Sequence, residues 1–261
     1  MPLVNPICHD WVCAGSVSIG TREGIRAVNS PQSCTEAQPQ QVRHETAHQA
    51  PFPASRAPTR TITVYSDYKS PYAYLAKDLA YELARDFAVR LDWLPYVLDI
   101  PSFLGSARVD GEGRVVEEAR NAHQWRRVRY SYMDCRRQAS KRGLVIRGPQ
   151  KIWDSTLAAC GMLWAKRQGD VVFRRYHDIV FERLWKRELD IENPEVIGTV
   201  LAEAGTEAAG FAAYAADEGR HEVQEICCSA EAKGVFGVPT FVIDGELFWG
   251  REHLSDIRAM L

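Results

Sequence analysis

The spacing of apolar and polar positions changes three times along the chain. TITVY, from Thr61 to Tyr65, is a short β-branched run of the kind that forms a buried strand. After a loop from Ser66 to Lys69, apolar residues recur at Tyr72, Leu75, Ala76, Leu79, Leu83 and Phe87. That spacing is helical and puts Lys77, Asp78, Glu82 and Arg85 on the other face. Ser70 suits the N-cap of this helix and Pro71 its first turn. VRLDWLPYVL then alternates at Val89, Leu91 and Trp93, which predicts a second strand. Strand, helix and strand with short joins form a βαβ unit, so these strands should run parallel with a right-handed crossover.

From about Ser102 to Lys233 the period becomes helical and strand signals vanish. Gly143, Gly148-Pro149, Gly169, Asn193-Pro194 and Gly205 divide this stretch into roughly five helices. Strands return in VPTFVI and ELFWG, which flank Asp244-Gly245, a type I′ hairpin signal. A short helix carrying Leu254, Ile257 and Leu261 closes the chain. The order is βαβ, helices, ββα: an α/β chain whose small mixed sheet comes from residues 60–101 and 234–261, with residues 102–233 as an inserted helical subdomain. No internal repeat is present.

Residues 1–59 differ. They hold seven of the 13 prolines but only Trp11 and Phe52 among 26 aromatics. Such a segment buries too little surface to offset its ordering entropy, so a disordered extension is expected. It lacks the pattern of a secretory signal. Arg22, Arg26 and Arg43 leave an organelle-targeting role open beside that of a leader without function.

At 46% hydrophobic and 25% charged residues the composition is that of a globular protein. With 32 basic against 34 acidic residues, nothing calls for nucleic acid as a partner. No apolar run of about 18 residues predicts a membrane helix. Seven cysteines without a C-x-x-C pair argue against a disulfide framework and fit a reducing, cytoplasmic setting. His221, Glu225 and Cys227 lack a second ligand pair at zinc-like spacing, so no metal is expected. Cys227 and Cys228 read as packed apolar residues, and His177, Trp153, Trp164 and Trp185 as core or groove lining.

Two positions carry candidate chemistry. Ser70 stands where a strand hands over to a helix, and the first turn of a helix offers unpaired N–H groups and about half a positive charge. It is either an N-cap alone or also a donor to an anion bound there. Val238-Pro239 opens a strand, where a proline sacrifices no ladder bond; its peptide bond is cis or trans.

Ser70-Pro71 at the first helix and Val238-Pro239-Thr240 before the hairpin, in this element order, resemble the DsbA-like form of the thioredoxin superfamily. YSDYKSPYAYLA and GVFGVPTFVIDGELFWGREHL resemble, within it, the 2-hydroxychromene-2-carboxylate isomerases and kappa-class glutathione transferases. The likeness spans about Thr61 to Leu261 and implies a thioredoxin-like fold with a large all-helical insertion. Where DsbA-like oxidoreductases carry C-x-x-C, this chain has Ser70, Pro71, Tyr72 and Ala73, so a disulfide cannot cycle there.

The resemblance implies glutathione as cofactor, with Ser70 the catalytic residue that holds its sulfur as thiolate. It implies that Val238, beside Pro239, pairs its backbone with the cysteinyl part. Gly250, Arg251 and Glu252 stand for a Gly-x-Asp motif at the γ-glutamyl end. The family pattern Lys-x-x-Tyr-x-x-x-Asp-x-x-Arg is met by Arg127, Tyr130, Asp134 and Arg137, with Arg127 assigned to the cofactor and Tyr72, Tyr130 and Arg137 to the substrate. Those helical positions share one face. That face either orients a substrate carboxylate and developing enolate, or is a solvated basic surface where Asp134 pairs loosely with Arg137. Asn121 is a loose counterpart of a family asparagine that contacts glutathione. Lys69 replaces a usually small or apolar residue and is expected to be solvated. The implied activity is isomerisation of small aromatic carboxylic acids by reversible thiolate addition. Alternatives are a kappa-like transferase and a non-catalytic glutathione-binding protein, while a disulfide oxidoreductase is disfavoured by the missing cysteine pair. A homodimer is also implied.

Overall fold

In the computed structural model, which describes residues 60–261, the run at Thr61 forms strand β1 (Thr61–Ser66). Helix α1 (Pro71–Phe87) and strand β2 (Arg90–Pro95) follow, and β2 lies parallel to β1 with Thr61 opposite Arg90. Ser70 caps α1, its side chain accepting from the Ala73 N–H at 3.3 Å. Leu75 and Leu83 are 0% and 1% exposed; burying each contributes roughly 1.5–3 kcal/mol. The helix ends at Ala88, whose φ of 53° is left-handed.

Lys77 does not face solvent as the amphipathic pattern predicts. It is 5% exposed, with its ammonium paired to Asp78 at 2.5 Å and to Asp178. A neighbouring helix covers that side of α1, and the carboxylate it brings compensates the buried charge.

The segment after β2 departs from the all-helical expectation. Short helix α2 (Ile100–Leu104) leads into a hairpin of β3 (Ala107–Val109) and β4 (Val115–Glu118). The hairpin is small and mostly exposed, so no apolar alternation announces it. Six helices follow: α3 (Ala122–Ser140), α4 (Thr156–Lys166), α5 (Asp170–Trp185), α6 (Pro194–Ala204), α7 (Phe211–Ala216) and α8 (Glu218–Ala232). Strands β5 (Thr240–Ile243) and β6 (Glu246–Trp249) pair antiparallel. Their turn has φ of 52° at Asp244 and 85° at Gly245, the backbone a type I′ turn requires. A 3₁₀ turn (Arg251–His253) and α9 (Leu254–Met260) finish the chain, with Leu254 and Ile257 buried.

The main sheet has the order β2-β1-β5-β6. β1 is central, and Ile62, Val64, Phe241 and Ile243, all at most 1% exposed, form its core with β5. The described residues lie within one compact unit, with α4 and α8 packed against β2. The expectations for residues 1–59 lie outside the described residues. Among the described residues no helix is long and apolar enough to cross a membrane.

Candidate functional site

The sheet register brings the two sequence motifs to one place. Tyr65 on β1 lies opposite Thr240 on β5, so the next residues outward are Ser66 on one strand and Pro239 on the other. Past Ser66 the chain turns at once into α1, and Ser70 N–H closes that turn on the Asp67 carbonyl at 3.0 Å. Ser70 and Val238 therefore share one end of the sheet. The Val238–Pro239 bond is cis. The Gly250 N–H donates to the Pro239 carbonyl at 2.9 Å, which ties the Gly250-Arg251-Glu252 segment to the same corner. The Glu252 carboxylate folds back over Gly250, where a β-carbon would come within 2.5 Å of it; a side chain at this position, already at φ +106°, would displace Glu252.

Ser70 is 4% exposed and Val238 7%. Among the described residues, no group hydrogen-bonds the N–H or C=O of Val238. Buried peptide groups are nearly always paired, so this unpaired donor and acceptor suit an extended, peptide-like ligand. In the first turn of α1, Pro71 has no N–H and Ala73 is capped by Ser70. The Tyr72 amide remains directed along the helix axis. The Tyr72 hydroxyl meets Ser131 and Cys135 of α3, and its pKa is pushed up to about 12, chiefly by burial. Burial likewise raises the Cys135 thiol to about 12, against a lowering by its bond to Tyr72 and by the charge of Arg251. The 3₁₀ turn that carries Arg251 packs against α1.

The remaining motif residues of α3 lie elsewhere. Arg127 is exposed, Tyr130 is 59% exposed, and Arg137 reaches Asp134 only at 3.8 Å from a largely exposed side chain. None of the three makes a described contact with Ser70, Val238 or Pro239; the turn of α3 that meets α1 is instead that of Ser131, Asp134 and Cys135. The Asn121 side chain is occupied as the cap of α3, accepting from the His123 and Gln124 N–H groups. The N-x-x-Q spacing was the available signal for that role.

The reading of Lys69 as solvated is corrected. It is 8% exposed, and its ammonium lies 3.6 Å from the fully buried Asp67 carboxylate. Asp67 also accepts from the N–H groups of Lys69 at 3.2 Å and Leu98 at 2.8 Å, which fixes the loop in front of Ser70. Tyr68 anchors the same loop from behind. Its hydroxyl meets His177 Nδ1 at 3.0 Å, and its carbonyl accepts from Trp185 Nε1 at 3.1 Å. His177 is fully buried, and its pKa falls well below the ordinary value, first through burial and then through Lys77 and Arg174. No local pattern points to these anchors, because each joins residues over 100 positions apart. Cys228 is exposed, contrary to the reading of it as packed, and Cys227 is half-buried with its sulfur accepting from the Val97 N–H at 3.4 Å. Among the described residues, no group of three or more His, Cys, Asp or Glu is placed to hold a metal ion.

Known proteins share this fold. A 2-hydroxychromene-2-carboxylate isomerase of Sphingobium xenophagum is 24% identical over 204 residues, 78% of this chain and 98% of that protein. Another of the same name, from Pseudomonas putida, is 23% identical over 202 residues, 77% of this chain and 93% of that one. The solved structure of a 2-hydroxychromene-2-carboxylate isomerase superposes with a TM-score of 0.60 at 19% identity, over 77% of this chain and 93% of that one. Residues 61–261 match the DSBA-like thioredoxin domain model. From its first strand to its last residue, then, the chain belongs to the DSBA-like thioredoxin family.

Proposed function

We propose that this protein is a glutathione-dependent isomerase of small aromatic carboxylic acids, acting by reversible thiolate addition. One observation carries the reading: a buried serine, in place of a thiol, caps the first helix beside a cis-proline whose preceding residue has unpaired backbone groups. The curated relatives, both named 2-hydroxychromene-2-carboxylate isomerase, support the reaction class.

The residues fit a cysteinyl peptide. The Val238 N–H and C=O can pair with an extended backbone as a strand edge does. The Ser70 hydroxyl accepts from Ala73 and still has its own proton to donate to a sulfur anion. The α1 terminus and the Tyr72 amide favour the same charge, which lowers the pKa of a thiol held there. Arg251 offers a cation, and Glu252 a carboxylate for the α-amino end. When bound, glutathione supplies a nucleophile that adds to an unsaturated carbon and later leaves it, so that rotation becomes possible in between. The chain's own work is to hold the sulfur ionised and to position the acid against it.

The test is a glutathione titration of the full chain by calorimetry, with product analysis on a 2-hydroxychromene-2-carboxylate. Saturable turnover with glutathione recovered is the expected result. Turnover that ignores glutathione overturns the reading, and a glutathionyl product formed one for one replaces it with a transferase.

A further inference from the structure

Lys69 keeps an unused capacity. Its ammonium has three N–H donors, yet among the described residues no acceptor lies within hydrogen-bond distance; the nearest carboxylate oxygen, on Asp67, is at 3.6 Å. Asp67 is occupied by two backbone N–H groups. The second acid nearby is Asp154, just before α4, and its Oδ1 accepts from both the N–H and the hydroxyl of Thr156, at 2.9 and 2.6 Å. Burial works to raise the Asp154 carboxyl, but the two bonds from Thr156 and the charges of Lys69 and Arg220 together hold it below the ordinary range. Lys69 and Arg220 are thus cations whose charge acts on Asp154.

The start of α4 points the same way. Ser155 is 1% exposed, does not cap the helix, and its hydroxyl has no partner among the described residues. A buried hydroxyl left unpaired is costly unless something else pairs with it. Lys69, with unused donors, thus stands one residue from Ser70 in the chain, and Asp154, on which its charge acts, directly precedes the unpaired Ser155 hydroxyl at the start of α4.

We propose that Lys69 binds the carboxylate of the aromatic acid substrate beside Ser70, with the Ser155 hydroxyl as a second donor. This deepens the isomerase reading and rests on it for the identity of the acid. It moves the carboxylate contact from the exposed arginines of α3 to a buried group in the loop that carries Ser70. An ammonium with little solvent around it discriminates strongly between a carboxylate and its uncharged amide.

The experiment measures binding by calorimetry, with 2-hydroxybenzoate and 2-hydroxybenzamide as probes, and glutathione titrated separately. Wild type should favour the carboxylate over the amide by about ten-fold, the worth of one charge-assisted bond. Lys69→Met should abolish that preference while leaving amide binding within about two-fold, Lys69→Arg should retain it, and Ser155→Ala should weaken it in part. Should Lys69→Met fail to fold because Asp67 loses its partner, the double variant Lys69→Met/Asp67→Asn removes both charges and takes its place. Equal binding of the two probes by wild type, or an undiminished preference in either Lys69→Met variant, overturns the proposal. Failure of glutathione to bind while the preference persists would instead overturn the isomerase reading alone.

Discussion

Replacing Ser70 by alanine and by glycine separates the two tasks assigned to it. As N-cap, Ser70 accepts from the Ala73 N–H at 3.3 Å. Loss of such a cap to alanine costs roughly 0.5–2 kcal/mol, and to glycine only a few tenths. The bond is long, which argues for the low end, but Ser70 is 4% exposed, so water cannot readily take over and the value moves up. About 1 kcal/mol for Ser70→Ala results, which lowers Tm by roughly 2–4 °C in a unit of this size. The hydrogen bond to a sulfur anion is lost equally in both variants. A bond to a charged group contributes about 1.5–3 kcal/mol, so the pKa of bound thiol should rise by about one to two units in each. Thermal melts and the ultraviolet absorbance of thiolate across pH, with glutathione saturating, read the two effects separately. Ser70→Gly should melt near wild type yet show the same raised thiol pKa as Ser70→Ala. A wild-type thiol pKa in Ser70→Gly, or a pKa that tracks Tm across the pair, would refute the assignment.

Other outcomes follow from burial and geometry. Because the pKa of His177 lies well below its ordinary 6.5, the unfolded chain takes up a proton the folded chain refuses. Stability should therefore fall as pH drops below about 6.5, by up to about 1.4 kcal/mol per unit, and denaturant melts of His177→Gln should lose that slope. Ala88→Gly should raise stability by about 0.5–1 kcal/mol in the same melts, because φ at this position is 53°. Gly161→Ala should destabilise by about 1–3 kcal/mol despite alanine's helix preference, since the new β-carbon would sit 2.1 Å from the hydroxyl of buried Tyr176. Alkylation followed by peptide mapping near neutral pH should modify exposed Cys228 well before buried Cys135, whose thiol is raised to about 12.

Period and punctuation alone were enough to read the elements of the βαβ opening, the Asp244-Gly245 hairpin and the closing helix, because the apolar period, caps and turns that mark them lie within short stretches of chain. The Ser70 cap was legible for the same reason. The β3–β4 hairpin was not: its strands are short and half-exposed, and strand pairing leaves a period only where one face is buried. Lys77 and Lys69 were misread in a common way. Lysine in a local pattern signals solvent, and only carboxylates from distant segments or from a tight loop make burial tolerable, Asp178 for Lys77 and Asp67 for Lys69. Sequence by itself determined which residue types stand at the helix start and the strand start. Tertiary structure decided that β1 and β5 meet in antiparallel register, so that Ser70 and Val238 share one end of the sheet, and that Arg127 and Arg137 of α3 are exposed while Lys69 is not. The reason is physical: caps and turns are fixed by neighbours along the chain, whereas the burial of a charge is settled by whatever the fold packs against it.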